Sequence, residues 1–185
     1  MSKPSLIVMS GLPGSGKSTI AERIAQRLKI PVFSVDPIES AIIKSGIARS
    51  FETGLAAYLV ADVLANEQLK LGTSVIIDAV NAEEEGKNIW RELAQRHGLA
   101  LIVLDVFMSD RALHRQRLES RVRNLHGFSE VAWEAVEARQ KAFTAWVEPT
   151  LRLDAADDVE ANTDEALRYI RKHSQQSSHR PAQDQ

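Results

Sequence analysis

The sequence predicts an α/β protein built on a parallel sheet, and three observations carry that expectation. Four short apolar runs alternate with longer stretches of helical periodicity, the order that generates βαβ units with right-handed crossovers. The runs are apolar at consecutive positions, as strands covered on both faces require. Residues 11–18 read Gly-Leu-Pro-Gly-Ser-Gly-Lys-Ser, between the first apolar run and the first helical stretch. That is the strand–loop–helix setting in which this motif cradles phosphate.

The elements follow in order. Leu6–Met9, Val32–Val35, Ser74–Ile77 and Leu99–Phe107 read as strands, with Asp158–Ala161 a weaker fifth candidate. Ile20, Ile24 and Leu28 recur four apart in the first helical stretch, and Ile89 and Leu93 do so in another. Leu55, Leu59, Val63 and Leu64 are the expected core anchors of a third, and Val131, Ala135, Ala138 and Ala142 of a fourth. Trp90, Trp133 and Trp146 fall in helical patterns and read as packing residues, while His97 before Gly98 marks a helix C-terminus. Ser174–Gln185 has no aliphatic anchor and is expected to be a disordered tail, which leaves one domain over residues 1–173.

Composition narrows the chemistry. The 185 residues are 44% hydrophobic and 26% charged, ordinary for one globular domain. A formal net charge of -2 argues against a general electrostatic grip on nucleic acid or an anionic membrane. The absence of cysteine removes disulfides, thiolate metal sites and cysteine nucleophiles. No window approaches the roughly 18–20 apolar residues of a membrane span, and Leu6–Met9 is too short for a signal-peptide core, so a cytoplasmic protein is expected.

The glycine-rich motif supplies the first site residues. Its glycines let successive N–H groups turn inward on phosphate oxygens, Lys17 brings a mobile charge to the β- and γ-phosphates, and Ser18 offers Mg²⁺ a hydroxyl. The helix opening behind it adds its N-terminal dipole. Two acids close strands at the edge where an open parallel sheet binds ligands. Asp78 reads as a metal-organising carboxylate, or as a turn or cap residue. Asp36 reads equally as a general base or as the N-cap of a helix at Pro37. Residues 111–123 hold five arginines, Arg111, Arg115, Arg117, Arg121 and Arg123, opposed by Glu119 alone. Arg117 and Arg121 share a helical face and suit the spreading charge of a phosphoryl group in transfer, whereas Arg111 and Arg123 are expected at the surface.

The Gly11–Ser18 loop, the strand-end Asp36, the Val75–Asp78 run and the Arg117/Arg121 pair together resemble the P-loop kinases of the AAA_33 type. This group includes chloramphenicol phosphotransferase-like, zeta-toxin-like and polynucleotide-kinase-like enzymes. The resemblance spans about residues 5–170. It implies a three-layer α/β/α fold, five parallel strands in the order 2-3-1-4-5, and a helical lid over about 111–130. It also implies transfer of the γ-phosphate of MgATP to a hydroxyl. By position, Lys17, Asp36, Arg117 and Arg121 would be catalytic. Gly11, Leu12, Pro13, Gly14, Ser15, Gly16, Lys17, Ser18 and Thr19 would bind nucleotide, with Asn162 and Thr163 near the adenine. Ser18 and Asp78 would hold Mg²⁺.

Glu39 departs from the pattern of several members, which carry an arginine three residues after the strand-two Asp to bind substrate phosphate. It points away from an anionic acceptor and suits a neutral or cationic one. The implied reaction is therefore phosphorylation of a hydroxylated small molecule, a metabolite or antibiotic, with a pocket built from the segment between Asp36 and Leu71 and from the lid, drawing on Glu39, Arg49, Phe51 and Tyr58. A polynucleotide 5′-hydroxyl kinase and an ATP-dependent switch are the alternatives.

Overall fold

The computed structural model describes residues 3–129 and 131–176. Five strands form one sheet: β1 (Leu6–Ser10), β2 (Val32–Ser34), β3 (Val75–Asp78), β4 (Leu101–Phe107) and β5 (Thr150–Asp154). All neighbouring pairs are parallel and the order is β2-β3-β1-β4-β5. The register aligns Ser34 with Asp78 and Asp78 with Met9, so the carboxyl ends of the first three strands finish at one level.

Helices cover both faces, and the strands' alternation assigns them. Ile7 and Met9 pack with Ile20 and Ile24 of α1 (Lys17–Leu28) and with Leu167 and Ile170 of α7 (Val159–Gln176). Leu6 and Val8 pack on the other side with α3 (Phe51–Lys70) and with Trp90 and Leu93 of α4 (Glu84–Arg96). Residues one apart on a strand thus serve separate cores, which is why β1 is apolar from Leu6 to Met9. Helix α2 (Val35–Lys44) follows β2 without a loop. The segment expected as the lid, about residues 111–130, begins with α5 (Arg111–Ser120), which joins α6 (Trp133–Ala142) through a small core of Leu118, Trp133 and Val136.

Four expectations are corrected here. The fifth strand is Thr150–Asp154, not Asp158–Ala161. Asp158 instead accepts the N–H groups of Glu160 and Ala161 through Oδ1, at 3.0 and 2.9 Å, and so caps the first turn of α7. The core face of α3 is Ala57, Ala61, Ala65 and Leu69, while Leu55, Leu59, Val63 and Leu64 are 37–58% exposed. Small residues four apart let the helix lie close on the sheet, and that closeness outweighs the burial the larger side chains could offer. Helix α7 runs to Gln176, past the boundary expected at 173; Ser174 Oγ donates to the Ile170 carbonyl at 2.8 Å. Residues 177–185 of the expected tail lie outside the described residues. Trp146 lies outside any helix and donates to Ser10 Oγ at 3.0 Å, pinning its segment beside the end of β1. None of the helices among the described residues is long and apolar enough to cross a membrane.

Candidate active site

The loop between β1 and α1 is shaped by what surrounds it. Gly11 has φ +144°, and a Cβ there would fall 2.2 Å from the Val106 carbonyl oxygen, so no other residue fits without moving β4. Gly16 stands at the N-cap of α1 and Lys17 opens the helix, 93% buried. The loop's underside is held from the lid: His114 Nε2 lies 2.9 Å from the Pro13 carbonyl, and its ring meets Trp133 edge-on at 5.2 Å. A carbonyl can only accept, so Nε2 carries the proton. Nothing in the spacing of the arginine segment singles out His114.

Three cavities run on from the Lys17 end of this loop, the first two sharing Lys17 and Ser18 and the last two sharing Asp36 and Ala79. The largest, about 660 Å³, is lined by Gly14, Gly16, Lys17, Ser18, Thr19, Arg117, Arg121, Arg123 and the loop from Ala155 to Val159, with Asn162. It opens into a space of about 200 Å³ that adds Ser34, Asp36 and Asp78 to Lys17, Ser18, Arg121 and Arg123. Beyond Asp36 lies a third cavity of about 280 Å³, where Glu39, Arg49, Phe51 and Tyr58 come together as the sequence led us to expect. Asp36 lines both smaller cavities.

The acids sit where the strand ends place them. Asp78 is buried; its Oδ2 accepts the Ser34 hydroxyl at 3.1 Å, while Oδ1 is buried with no hydrogen-bond partner among the described residues. Oxygen donors of this kind, a carboxylate edge and the Ser18 hydroxyl on one cavity, suit a hard divalent cation such as Mg²⁺. Asp36 is not the N-cap of α2, a position taken by Ser34; it lies in the first helical turn with its carboxylate on the cavity. Its Oδ2 accepts from Arg123 Nη1 at 3.0 Å.

The arginine segment divides differently from its helical spacing. Arg117, on α5, donates to the Ala155 carbonyl at 3.1 Å across the largest cavity. Arg121 is the C-cap of α5, with an extended backbone (ψ 130°), so the shared-face argument fails although both arginines reach that cavity. Arg123, expected at the surface, has a side chain only 10% exposed. The extended turn after α5 folds the chain back over α2, which delivers Arg123 to Asp36. Arg111 pairs with Glu137 and Arg115 with Glu119, both on the outside.

Other expected nucleotide contacts separate. Asn162 faces the largest cavity and donates to the Asp154 carbonyl at 2.8 Å. Thr163 is fully buried, its hydroxyl donating to the Val159 carbonyl at 2.7 Å. Gly11, Leu12 and Ser15 line a cavity of about 320 Å³ with Asp105 and Phe107, apart from the three in series. On the floor of the third cavity, burial pushes the Tyr58 phenol up to about 12, and its oxygen accepts the Asn81 N–H at 3.4 Å.

The fold is shared with solved kinase structures. A protein of Chloroflexus aurantiacus designated a kinase superposes with a TM-score of 0.74 at 19% identity, covering 92% of this chain and 98% of that one. A gluconokinase of Sinorhizobium meliloti gives 0.65 at 20% identity, covering 95% and 97%. The APS kinase CysC of Mycobacterium tuberculosis, in complex with AMPPNP and APS, gives 0.67 at 14% identity, covering 92% and 99%. No curated protein matches the sequence. Residues 6–150 match the AAA_33 family, described as an AAA domain. With the phosphate loop, the 2-3-1-4-5 sheet and this match in agreement, the chain belongs to the AAA_33 family of P-loop proteins.

Proposed function

We propose that the protein is a kinase that transfers the γ-phosphate of ATP to a hydroxyl of a small molecule. The observation that carries this reading is the position of Asp36, the one carboxylate shared by the Lys17/Ser18 cavity and the separate cavity beyond it. A phosphoryl donor on one side and an alcohol on the other would meet at that residue.

In this reading the loop amides and Lys17 hold the phosphates, and the acceptor lies in the 280 Å³ cavity with its hydroxyl at Asp36. The hydroxyl oxygen attacks the γ-phosphorus and its proton passes to the Asp36 carboxylate. The bond from the γ-phosphorus to the bridging oxygen breaks, and ADP leaves with that electron pair. Arg117 and Arg121 face the charge that spreads over the equatorial oxygens. Mg²⁺ bound with the nucleotide would rest on Ser18 and Asp78 and neutralise charge on the β- and γ-phosphates. Asn162, on the largest of these cavities, would take the adenine end, whereas Thr163 is fully buried and would not touch it.

Two measurements test the proposal. Saturation with MgATP at ~100 Kd stabilises a binding protein by about 2.7 kcal/mol, and Lys17→Ala should abolish that shift. In a screen of hydroxylated metabolites and antibiotics, Asp36→Asn should keep the MgATP shift and lose turnover by about 10²–10⁴-fold, the usual worth of a general base. Full turnover in Asp36→Asn removes the base. A protein that binds MgATP and phosphorylates nothing in the screen is a nucleotide switch instead.

A further inference from the structure

We infer that the acceptor carries a protonated amine as well as its hydroxyl, and that Glu39 is the residue that selects it. The inference rests on the kinase reading above and concerns the cavity beyond Asp36.

Glu39 lies three residues after Asp36 on α2, so both carboxylates project from one helical face into that cavity. Glu39 is the buried one, 8% exposed. Thr53 Oγ1 donates to its Oε1 at 3.0 Å, and Arg49 Nε approaches the same oxygen at 3.4 Å. Thr53 is itself fixed by a reciprocal capping box with Ser50, so Oε1 is anchored from the first turn of α3. No donor among the described residues is hydrogen-bonded to Oε2. Oε2 is thus the oxygen left for a ligand in the cavity, and an ammonium would bring it three donors and the opposite charge.

The cations nearby do not fill that role. Arg49 is half exposed, contacts Glu39 at the long end of the range, and is stacked 4.1 Å from the Phe128 ring. Arg123 is engaged by Asp36. Arg139 lines the cavity from the exposed surface of α6, where solvent screens it. Glu83 and Glu85 at the exposed mouth add negative potential that draws a cation inward. Phe51, Leu55 and Ile89 offer apolar walls for a carbon skeleton, and about 280 Å³ suits a molecule near the size of a sugar or cyclitol ring.

The test pairs each amine with its uncharged form. Glucosamine and 2-deoxystreptamine are assayed as phosphoryl acceptors beside their N-acetyl derivatives and beside gluconate. The wild-type protein should favour the free amines by at least about tenfold in kcat/KM. Glu39→Gln keeps an acceptor for Thr53 and should erase that preference by raising KM for the amines, with affinity for ATP unchanged. Equal or better use of N-acetylated acceptors or gluconate by the wild type overturns the inference and leaves the kinase reading standing. Retention of the amine preference in Glu39→Gln also overturns it. Phosphate on no acceptor, in a protein that MgATP stabilises, overturns both. The wild-type comparison stands even if the variant does not fold.

Discussion

Arg123 Nη1 donates to Asp36 Oδ2 at 3.0 Å, with the arginine side chain 10% exposed and the carboxylate 38% exposed. The pair is the inner end of a wider docking. Arg123 Nη2 donates to the Ser129 carbonyl, Ser40 Oγ donates to the His126 carbonyl at 3.1 Å, and Gly127 lies against Ile43. The tip of the lid therefore rests on α2, and one ion pair joins the lid to the proposed base.

Removing that pair should loosen the lid and slow turnover together. Arg123→Ala is expected to raise amide exchange across residues 122–129 and to cost about tenfold or more in kcat/KM, ~1.4 kcal/mol. Arg123→Lys should recover only part, because a point charge cannot serve Asp36 and the Ser129 carbonyl as a planar fork does. Exchange unchanged in Arg123→Ala would show that the lid is held by its other contacts.

His114 predicts a separate effect on nucleotide affinity. Its donation to the Pro13 carbonyl fixes one peptide of the phosphate loop, and its Nε2 lies 2.9 Å from that oxygen. His114→Ala should weaken ATP binding by roughly 5–10-fold, consistent with a buried hydrogen bond of about 1–1.5 kcal/mol. Turnover at saturating ATP should change little. Calorimetric titration separates the two, and a fall in saturated turnover with intact affinity would contradict this role.

Gly11 and Gly46 form a control pair. Both have positive φ, but a Cβ at Gly46 meets nothing within 4 Å, while one at Gly11 lies 2.2 Å from the Val106 carbonyl. Gly46→Ala should cost only the left-handed strain, about 1–2 kcal/mol. Gly11→Ala should exceed ~4 kcal/mol, in the range reserved for severe disruption. Denaturant melts compare them directly, and similar midpoints would show that β4 can retreat.

Acid stability should depend on Glu84. Hydrogen bonds from Arg91, and then from the fully buried Lys87, hold its carboxyl down at about 2. Lys87 also donates to the Thr144 carbonyl and hydroxyl at 2.6 Å, so the cluster fastens the segment after α6 to α4. A carboxylate depressed in the folded state adds stability that is complete above its ordinary value near 4.5 and is lost as pH falls toward 2. Glu84→Gln should therefore melt lower than wild type at pH 7, with the gap closing between about pH 4.5 and 2. A gap constant across that range would sink the assignment.

Much of this architecture was legible in residue order. The phosphate loop is a local device: glycines, Lys17 and Ser18 act within one turn of chain, so their spacing announces them. Strands buried on both faces announce themselves by unbroken apolar runs, and Asp78 at the end of one marks the ligand edge. Weaker signals failed where neighbours decide. Thr150–Asp154 mixes Leu151 and Leu153 with Arg152, a pattern that becomes a strand through pairing with β4. Asp158–Ala161 alternates polar and apolar residues as a strand would, but Asp158 caps a helix.

The order of residues determined the phosphate loop, the apolar runs that become strands and Asp78 at the end of β3, because each depends on neighbours within a few positions. Tertiary structure alone decided which side of α3 is core, since the short reach of Ala57, Ala61 and Ala65 matters only against a sheet lying close to them. It also decided which lid arginine turns inward. Helical spacing paired Arg117 with Arg121, but the chain leaves the helix at Arg121 and returns across α2. That path gives Arg123 the Asp36 carboxylate, and no periodicity in the sequence records where a chain goes after its helix ends.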